Sequence, residues 1–357
     1  MTALGDPTDR LAGERVLLIG GAGFIGHHLA LALGRAGVAV MVVDNLMVNS
    51  LVDNVFADGS DALRRELYLG FLLERYRLMR EAGVELRNAD ARQMVDLARA
   101  FEAFQPTKVV HLAAIASALE ARRDPGLCFD LQLVTLRNAL ELCRVRAAAV
   151  NQLVLMSSST VYGDFATESV DESTRPSPRG IYANTKYMAE RLVRTYNHQH
   201  GLGTTIVRPS ALYGERCVSR RVSQVFIENA LRGRPLPLEG GGAGRLDFTY
   251  IEDLVEGLVR ALAFHGGADS SETFNLTYGD ARTIAELARI VCEVVPGARV
   301  EECPRAEDKP VRGTLATRRA EEVLGFKARW PLEEGYRRYC AWYAEEWRAA
   351  TRRMGRG

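Results

Sequence analysis

The chain has 357 residues, of which 47% are apolar and 25% charged, and its 46 basic and 45 acidic side chains leave a net charge of +1. This apolar fraction excludes a disordered chain, and the near-neutral balance argues against a broad surface for nucleic acid. No apolar run approaches the ~20 residues of a membrane span, and the polar N-terminus predicts no secretory signal.

Short apolar runs alternate with helical patterns over the first two-thirds of the chain. Six of these runs are predicted strands: 15–19, 38–43, 84–87, 108–111, 152–156 and 204–207. Strands that are apolar throughout, with helices between them, are typical of a parallel sheet covered on both faces. Right-handed crossovers then predict an α/β fold with a doubly wound parallel sheet. An eight-fold barrel fits poorly, because the last third of the chain has too few strands.

The pattern becomes loop-rich after residue 207. Helices are predicted near 252–264, 283–294 and 332–349, and a frayed tail from residue 352. We therefore predict a larger sheet domain and a smaller C-terminal α/β domain. The first comprises residues 14–207 plus about 247–266, and the second comprises residues 208–246 and 267–350.

A helical stretch at about 61–81 interrupts the alternation as an insertion between two predicted strands. We expect this insertion to cover the edge of the sheet or to form a subunit interface. The alternative is a lid over a substrate.

The run Gly-Gly-Ala-Gly-Phe-Ile-Gly at 20–26 follows the first predicted strand and opens the first predicted helix. Gly20 permits a tight turn, Gly23 lets the backbone approach a pyrophosphate, and Gly26 lets the helix pack on the strand. Asp44 ends the next strand, where its carboxylate can accept hydrogen bonds from an adenosine ribose and would repel a 2′-phosphate. Together these residues predict a Rossmann domain that binds NAD.

A second group of residues has the character of a general base. Tyr182 and Lys186 lie four apart, on one face of a predicted helix. A phenol with a pKa near 10 is a poor base, but a neighbouring ammonium and a positively charged nicotinamide both favour the phenolate. The run Ser-Ser-Ser-Thr-Val-Tyr-Gly at 157–163 follows a predicted strand, the place where doubly wound proteins bind ligands. Alone, each motif also fits a surface helix pair or a loop that satisfies its own backbone.

In this order the motifs resemble the extended short-chain dehydrogenase/reductase family, which contains nucleotide-sugar epimerases and dehydratases. The resemblance covers about residues 14–345. It rests on 20–26, 44–46, Asp90, 111–114, 157–163, 182–186, 208–214, 247–253 and 324–326.

The resemblance implies Tyr182 as the general base, with Lys186 and Ser158 completing the catalytic set. It implies NAD as the cofactor, held by Gly20, Gly23, Phe24, Ile25, Gly26, Asp44, Asn45, Asp90, Ala91, Leu112, Ala113, Ala114, Tyr182 and Lys186. It implies a nucleotide-diphosphate sugar as the substrate, contacted by Ser117, Ser158, Ser159, Thr160, Ala211, Arg245 and Arg312.

No metal, nucleic acid or membrane partner is expected. The six cysteines are scattered without metal-ligand spacing, which indicates reduced thiols in a cytoplasmic protein.

One position bears on the choice of reaction. In the 4,6-dehydratases and uronate decarboxylases of this family, the residue before Val-Tyr-Gly is usually Glu, and here it is Thr160. A dehydratase needs an extra acid–base group, which a threonine hydroxyl cannot supply. The sequence therefore favours an epimerase that works through a transient 4-keto intermediate. The alternative is a dehydratase or decarboxylase that takes its acid from Glu215 or the insertion, and a catalytically idle NAD-binding protein is a third reading.

Two departures from the family pattern concern the substrate. Ala211 stands where the family often has Asn, and Leu246 occupies the usual position of a phosphate-binding arginine, with Arg245 one residue earlier. These changes suggest a different nucleotide or a larger sugar, as in the tailoring of secondary metabolites. Helices at about 125–146 and 182–200 match those that pair between subunits in the family, which predicts a homodimer.

Overall fold

The computed structural model describes residues 7–48, 50–56, 61–115, 117–146, 149–264, 270–305 and 310–355. These residues form fifteen strands: β1 (Arg15–Ile19), β2 (Ala39–Asp44), β3 (Glu85–Asn88), β4 (Lys108–His111), β5 (Gln152–Met156), β6 (Ser169–Val170), β7 (Thr204–Arg208), β8 (Leu212–Tyr213), β9 (Leu236–Glu239), β10 (Arg245–Asp247), β11 (Thr249–Tyr250), β12 (Ser271–Asn275), β13 (Ala281–Thr283), β14 (Val300–Cys303) and β15 (Thr314–Leu315).

The same residues form thirteen α-helices: α1 (Phe24–Arg35), α2 (Leu51–Phe56), α3 (Ala62–Glu81), α4 (Met94–Phe104), α5 (Ala118–Arg123), α6 (Pro125–Phe129), α7 (Thr135–Val145), α8 (Gly180–His200), α9 (Val222–Leu231), α10 (Ile251–Ala263), α11 (Ile284–Val294), α12 (Arg318–Leu324) and α13 (Leu332–Met354). A π-helical turn, Asp130–Val134, joins α6 to α7, and a 3-10 turn, Ser159–Tyr162, follows β5.

Seven parallel strands form the central sheet, in the order β12–β7–β5–β4–β1–β2–β3. The order reverses between β1 and β4, and Ile19 at the end of β1 pairs with both Val43 and His111. The loops after β1, β2 and β4 therefore meet at one edge of the sheet. This reversal point is where open α/β sheets leave a crevice for ligands.

Helices cover both faces of the sheet, as a doubly wound fold requires. In β1, Val16 and Leu18 face one buried cluster and Leu17 and Ile19 face another, because side chains alternate across a strand. The first cluster takes in α1, α3, α10 and α13, and the second takes in α4, α7 and α8. The predicted doubly wound sheet is thus confirmed.

The six predicted strands are present in the central sheet, with ends shifted by at most one residue. The seventh strand of this sheet, β12, was not predicted. The sequence of β12, Ser-Glu-Thr-Phe-Asn, has polar residues at most positions. Within the described part of the chain, β12 is an edge strand that pairs with β7 alone. This strand lies in the range assigned to the smaller domain, and the division into two domains remains a prediction.

The inserted helix α3 packs within the protein rather than standing apart from it. Asp61 caps its start by accepting a hydrogen bond from the amide of Arg64. The helix contacts α1, α2, α13 and the edge strand β3, and it buries Leu67 and Phe71. At the other end of the chain, the predicted fraying from residue 352 is wrong as far as Met354, since α13 continues there and Arg353 pairs with Glu66 of α3 at 2.8 Å.

Two general features of the described residues concern partners. Their helices include none with both the length and the apolar character needed to cross a bilayer. Nor do their His, Cys, Asp and Glu side chains gather in threes as metal ligands would, and all six cysteines are free thiols.

A buried ion pair joins the sheet to α8. Arg208, at the end of β7, donates from Nε and Nη2 to the two carboxylate oxygens of Glu190 in α8, at 2.9 and 2.6 Å. The hydroxyl of Ser157, just after β5, donates to the same carboxylate at 2.6 Å, and Arg208 also donates to the hydroxyl of Tyr162 at 2.9 Å. The charged side chains of Arg208 and Glu190 are 2% and 0% exposed. The pair therefore fixes the ends of β5 and β7 against one helix.

We expect the substitution Glu190→Gln to lower the free energy of unfolding by about 3–5 kcal/mol, because it leaves the Arg208 guanidinium buried without a counter-charge. Urea unfolding followed by circular dichroism measures this loss. The matched control is Glu81→Gln, which breaks an exposed pair with Arg77 at 2.8 Å and should cost about 1 kcal/mol or less. Equal losses in the two variants would contradict a structural role for the buried pair.

Candidate active site

A cavity of about 900 Å³ opens at the carboxyl ends of the central strands. Every residue that the sequence nominated for the catalytic, cofactor or substrate site lines this cavity. The structure thus brings together residues from position 20 to position 312. Their local geometry divides the cavity into three parts: a glycine-rich loop with two carboxylates, a tyrosine–serine–lysine group, and a region rich in arginine.

The glycine-rich loop lies between β1 and α1. Gly20 has a φ of 77°, and a Cβ atom there would lie 2.5 Å from the amide nitrogen of Ala113, so only glycine fits. Gly23 caps α1, and the nearest atom to a Cβ there would be 3.6 Å away, which leaves its surroundings open. A Cβ on Gly26 would lie 2.4 Å from the carbonyl oxygen of Gly21. Gly26 therefore permits α1 to pack on the loop itself, rather than on the strand as we expected.

Two carboxylates lie beside this loop. Asp44 accepts hydrogen bonds from the amides of Ala22 and Leu46 at 2.9 and 2.8 Å, and burial raises its pKa. Asp90 accepts a hydrogen bond from Nη2 of Arg92 at 2.6 Å, and this interaction lowers its pKa.

The loop and its carboxylates match the chemical groups of a dinucleotide. Open space in front of Gly23 and the first amides of α1 suit an anionic pyrophosphate. The carboxylates suit the donor groups of an adenosine, since each oxygen can accept more than one hydrogen bond. The residues present therefore fit NAD.

The tyrosine–serine–lysine group lies where β5 ends and α8 begins. The Ser158 hydroxyl accepts a hydrogen bond from the amide of Thr160 at 3.2 Å and lies near enough to the Tyr182 hydroxyl to lower the pKa of the phenol. Lys186 donates from Nζ to the carbonyl of Met156 at 2.8 Å, and this Nζ lies 6.0 Å from the centre of the Tyr182 ring. One helix face therefore presents the phenol and the ammonium to the end of β5.

The protein alone does not favour the phenolate. Burial raises the pKa of Tyr182, although the charge of Arg221 and the nearby Ser158 hydroxyl act in the opposite direction. Burial also lowers the pKa of Lys186 to about 8. Removing either group from water penalises its charged form, so both groups shift toward neutrality. The expectation that the Lys186 ammonium and a bound nicotinamide together favour the phenolate therefore stays a prediction, which requires the charge of the cofactor.

The remaining wall of the cavity is rich in arginine. Arg312 donates to the carbonyl of Ser159 at 2.9 Å, and burial lowers the pKa of its guanidinium to about 10. Arg245 is exposed and donates to the carbonyl of Ala281, while Leu246 beside it also lines the cavity.

Three further members of the predicted substrate set, and Ser159, also line the cavity. Ser117 caps α5 through a hydrogen bond from the amide of Glu120, and Ala211 has a left-handed backbone, with a φ of 32°. The Thr160 hydroxyl is buried and has no hydrogen-bond partner among the residues that the structure describes.

Sequence reasoning missed two further arginines of this wall, Arg221 and Arg305. Arg221 directly precedes α9, in a stretch that carries no motif, and its charge acts on Tyr182. The sequence offered Glu215 and the inserted helix α3 as sources of a second acid. Neither contributes to the lining of the cavity. The Glu215 carboxylate instead accepts a hydrogen bond from the Tyr250 hydroxyl at 2.5 Å.

Comparisons with known proteins agree with this geometry. The model of the NAD dependent epimerase/dehydratase family matches residues 16–277. UDP-glucuronate 4-epimerase 2 of Arabidopsis thaliana is 30% identical over 348 residues, which cover 93% of this chain and 76% of that protein. UDP-glucuronic acid decarboxylase 6 of the same plant is 30% identical over 334 residues, or 90% of this chain and 86% of that protein.

Among solved structures, the UDP-glucose 4-epimerase of Thermus thermophilus, in complex with NAD, superimposes with a TM-score of 0.75 at 28% identity. The match covers 94% of this chain and 99% of that one. From the family match over most of its length, the chain belongs to the NAD-dependent epimerase/dehydratase family.

Proposed function

We propose that the protein epimerises a nucleotide sugar through a transient 4-keto intermediate, with Tyr182 as the general base. The observation that carries this proposal is the convergence of Tyr182, Ser158 and Lys186 in one cavity with a loop that fits NAD. The glycine-rich loop and its carboxylates would hold NAD, which would supply reversible hydride transfer at the sugar. Tyr182 takes the proton of the sugar 4-hydroxyl, which Ser158 orients, and Lys186 supports the phenolate.

The surroundings of Tyr182 support epimerisation over dehydration or decarboxylation. Thr160 stands where the family's dehydratases usually carry Glu, and its hydroxyl cannot act as an acid at neutral pH. The acids that line the cavity among the described residues are Asp44 and Asp90 beside the glycine-rich loop, and Glu239 on the arginine-rich wall. Epimerisation needs only oxidation, turning of the ketone and reduction from the other face, so the Tyr182 set suffices. An idle NAD-binding protein would have no need of such a set.

We further propose that the sugar is a hexuronate. Arg221 lies close enough to Tyr182 for its charge to lower the pKa of the phenol. In a 4-epimerase substrate, C6 is attached to C5, next to the C4 that faces the tyrosine. Arg221 lines the same cavity, so we expect a C6 carboxylate to pair with its guanidinium. The unpartnered Thr160 hydroxyl offers a further donor in the same cavity. The names of several relatives, UDP-glucuronate 4-epimerases, accord with this proposal.

Incubation with UDP-glucuronate should give a stereoisomer of unchanged mass, observed by mass spectrometry and NMR.

The substitution Tyr182→Phe should keep the fold and bound NAD but lower turnover on the order of a hundredfold or more, the usual scale of general acid–base catalysis. Ser158→Ala should cost less, since it removes an orienting hydroxyl and leaves the base. Loss of water or carbon dioxide would identify the dehydratase or decarboxylase instead, and near-full activity of Tyr182→Phe would exclude the phenolate mechanism.

Arg221→Gln should lower kcat/KM for UDP-glucuronate relative to UDP-glucose by about 10–100-fold, because a charge-assisted hydrogen bond contributes about 1.5–3 kcal/mol. The ratio is the informative quantity, since the effect of Arg221 on Tyr182 applies to both sugars. Arg220→Gln is the matched control: this neighbour is exposed, pairs with Glu228 and does not line the cavity. Equal losses on the two sugars would rule out carboxylate recognition by Arg221.

We also propose that the protein is a homodimer through α8 and the helices between Pro125 and Val145. On α8, Ile181, Met188 and Leu192 are 37%, 46% and 37% exposed and recur on one face, and Phe129 of α6 is 40% exposed. Such apolar surface on neighbouring helices is typical of an interface.

Light scattering at micromolar concentration should therefore give the mass of two chains. Met188→Glu should shift the protein toward the monomer, because it places a charge at the centre of this face. The control is Met354→Glu on the exposed end of α13, which should leave the mass unchanged. A wild-type monomer would refute the dimer.

A further inference from the structure

A buried cation lies directly behind the glycine-rich loop. Arg75 belongs to the inserted helix α3 and has no exposed surface. Its Nη1 donates to the carbonyl of Ala22 at 3.4 Å. Its Nε donates to the carbonyl of Arg216 at 3.1 Å, and its Nη2 donates to the same oxygen. The guanidinium thus joins α3, the glycine-rich loop and the segment before α9 through neutral acceptors.

The described residues offer this charge no close counter-ion. No carboxylate among the described residues lies within 4 Å of Arg75, and the nearby Glu74 pairs with Arg216 instead, at 3.7 Å. Asp44 is close enough to act on Arg75 electrostatically, but its two oxygens accept hydrogen bonds from the amides of Ala22 and Leu46. Burial lowers the pKa of Arg75 to about 10, so the side chain remains charged at neutral pH. A buried charge without a partner is costly, and a bound anion nearby would offset that cost.

The hydrogen bond to Ala22 also sets the direction of a donor. Across a planar trans peptide the carbonyl and the next N–H point in opposite directions. Because the Ala22 carbonyl faces Arg75, the N–H of Gly23 faces the other way. Gly23 caps α1 and lines the cavity. Arg75 therefore orients and polarises the peptide that presents this N–H.

The histidines beside this group add no charge to it. Nε of Arg216 donates to Nε2 of His27 at 3.2 Å, and the Nδ1 of this ring faces the Gly23 carbonyl at 2.9 Å. Burial lowers the pKa values of His27 and His28, the latter to about 3, so both rings are neutral near pH 7. Arg75 and Arg216 thus remain the cations behind the loop.

We propose that Arg75 is a positioning residue for the pyrophosphate of NAD, which it stabilises from behind the loop through the Ala22–Gly23 peptide. The insertion then serves the cofactor site, as the support of this cation, and not as a lid on the substrate. The proposal rests on the nucleotide site alone and is independent of the sugar and of the reaction.

The test compares ligands with and without a pyrophosphate. The full-length protein, treated with charcoal to remove bound nucleotide and shown to rebind NAD, is titrated calorimetrically with NAD, ADP and adenosine. Arg75→Met should weaken ADP and NAD by about tenfold or more while changing adenosine by less than about threefold, because only the diphosphate carries charge. Arg75→Lys should retain most of the preference for ADP over adenosine, since it keeps the cation.

Two comparisons distinguish this role from a merely structural one. Arg77→Met removes a charge from the exposed face of the same helix and should leave the ADP-to-adenosine ratio unchanged. If Arg75→Met does not fold, Arg75→Gln supplies a neutral side chain that still donates hydrogen bonds, and it should lose the same preference. Equal weakening of ADP and adenosine, or an unchanged ratio in both neutral variants, would overturn the proposal.

Discussion

The ion pair between Arg208 and Glu190 is the constraint on which the arrangement of the cavity depends. Glu190 lies one helical turn after Lys186 and two turns after Tyr182, so the carboxylate anchors the helix that carries both functional groups. Arg208, which donates to this carboxylate, is the last residue of β7. Ser157, whose hydroxyl donates to the same carboxylate, directly precedes Ser158 in the chain. Two strand ends and one helix are thereby tied to a single buried charge pair. Since each charge would be costly alone, the pair disfavours any arrangement in which the helix shifts relative to the strands.

The fold was predictable because its strongest signals are local. Strands buried on both faces have uninterrupted apolar sequences, as in the Leu-Val-Leu core of β5, and the glycines after β1 mark a turn that other residues cannot form. The strand β12 lacks this signal, because an edge strand whose sequence is mostly polar is specified by its partner β7 and not by its own residues. The length of α13 was underestimated for a related reason: Arg353 pairs with Glu66, far away in the sequence.

The site was predictable only where motifs exist. The glycines, Asp44, the serine run and the Tyr182–Lys186 spacing each have a characteristic pattern, and all of them line the cavity. Arg221 and Arg75 have none, because a single arginine in a loop or on a helix resembles a solvated surface charge. Only the folded chain shows that Arg75 is fully buried and that Arg221 acts on Tyr182. The sequence therefore could not reveal electrostatic interactions between residues that are far apart in the chain.

Burial has a consequence for when the base can act. It raises the pKa of Tyr182 and lowers that of Lys186 to about 8, so the site alone favours the neutral phenol. A phenolate becomes accessible only if positive charge is added beside it, because in a dry site the Coulomb energy between close charges is large. The oxidised nicotinamide carries such a positive charge. The carboxylate of an anionic sugar would instead disfavour the phenolate, unless the Arg221 guanidinium neutralises that carboxylate. In the proposed function, Arg221 thus has a second effect: by pairing with a uronate it protects the phenolate from a neighbouring negative charge. A cavity in which cofactor and substrate charges are both balanced would confine proton removal to the complete complex.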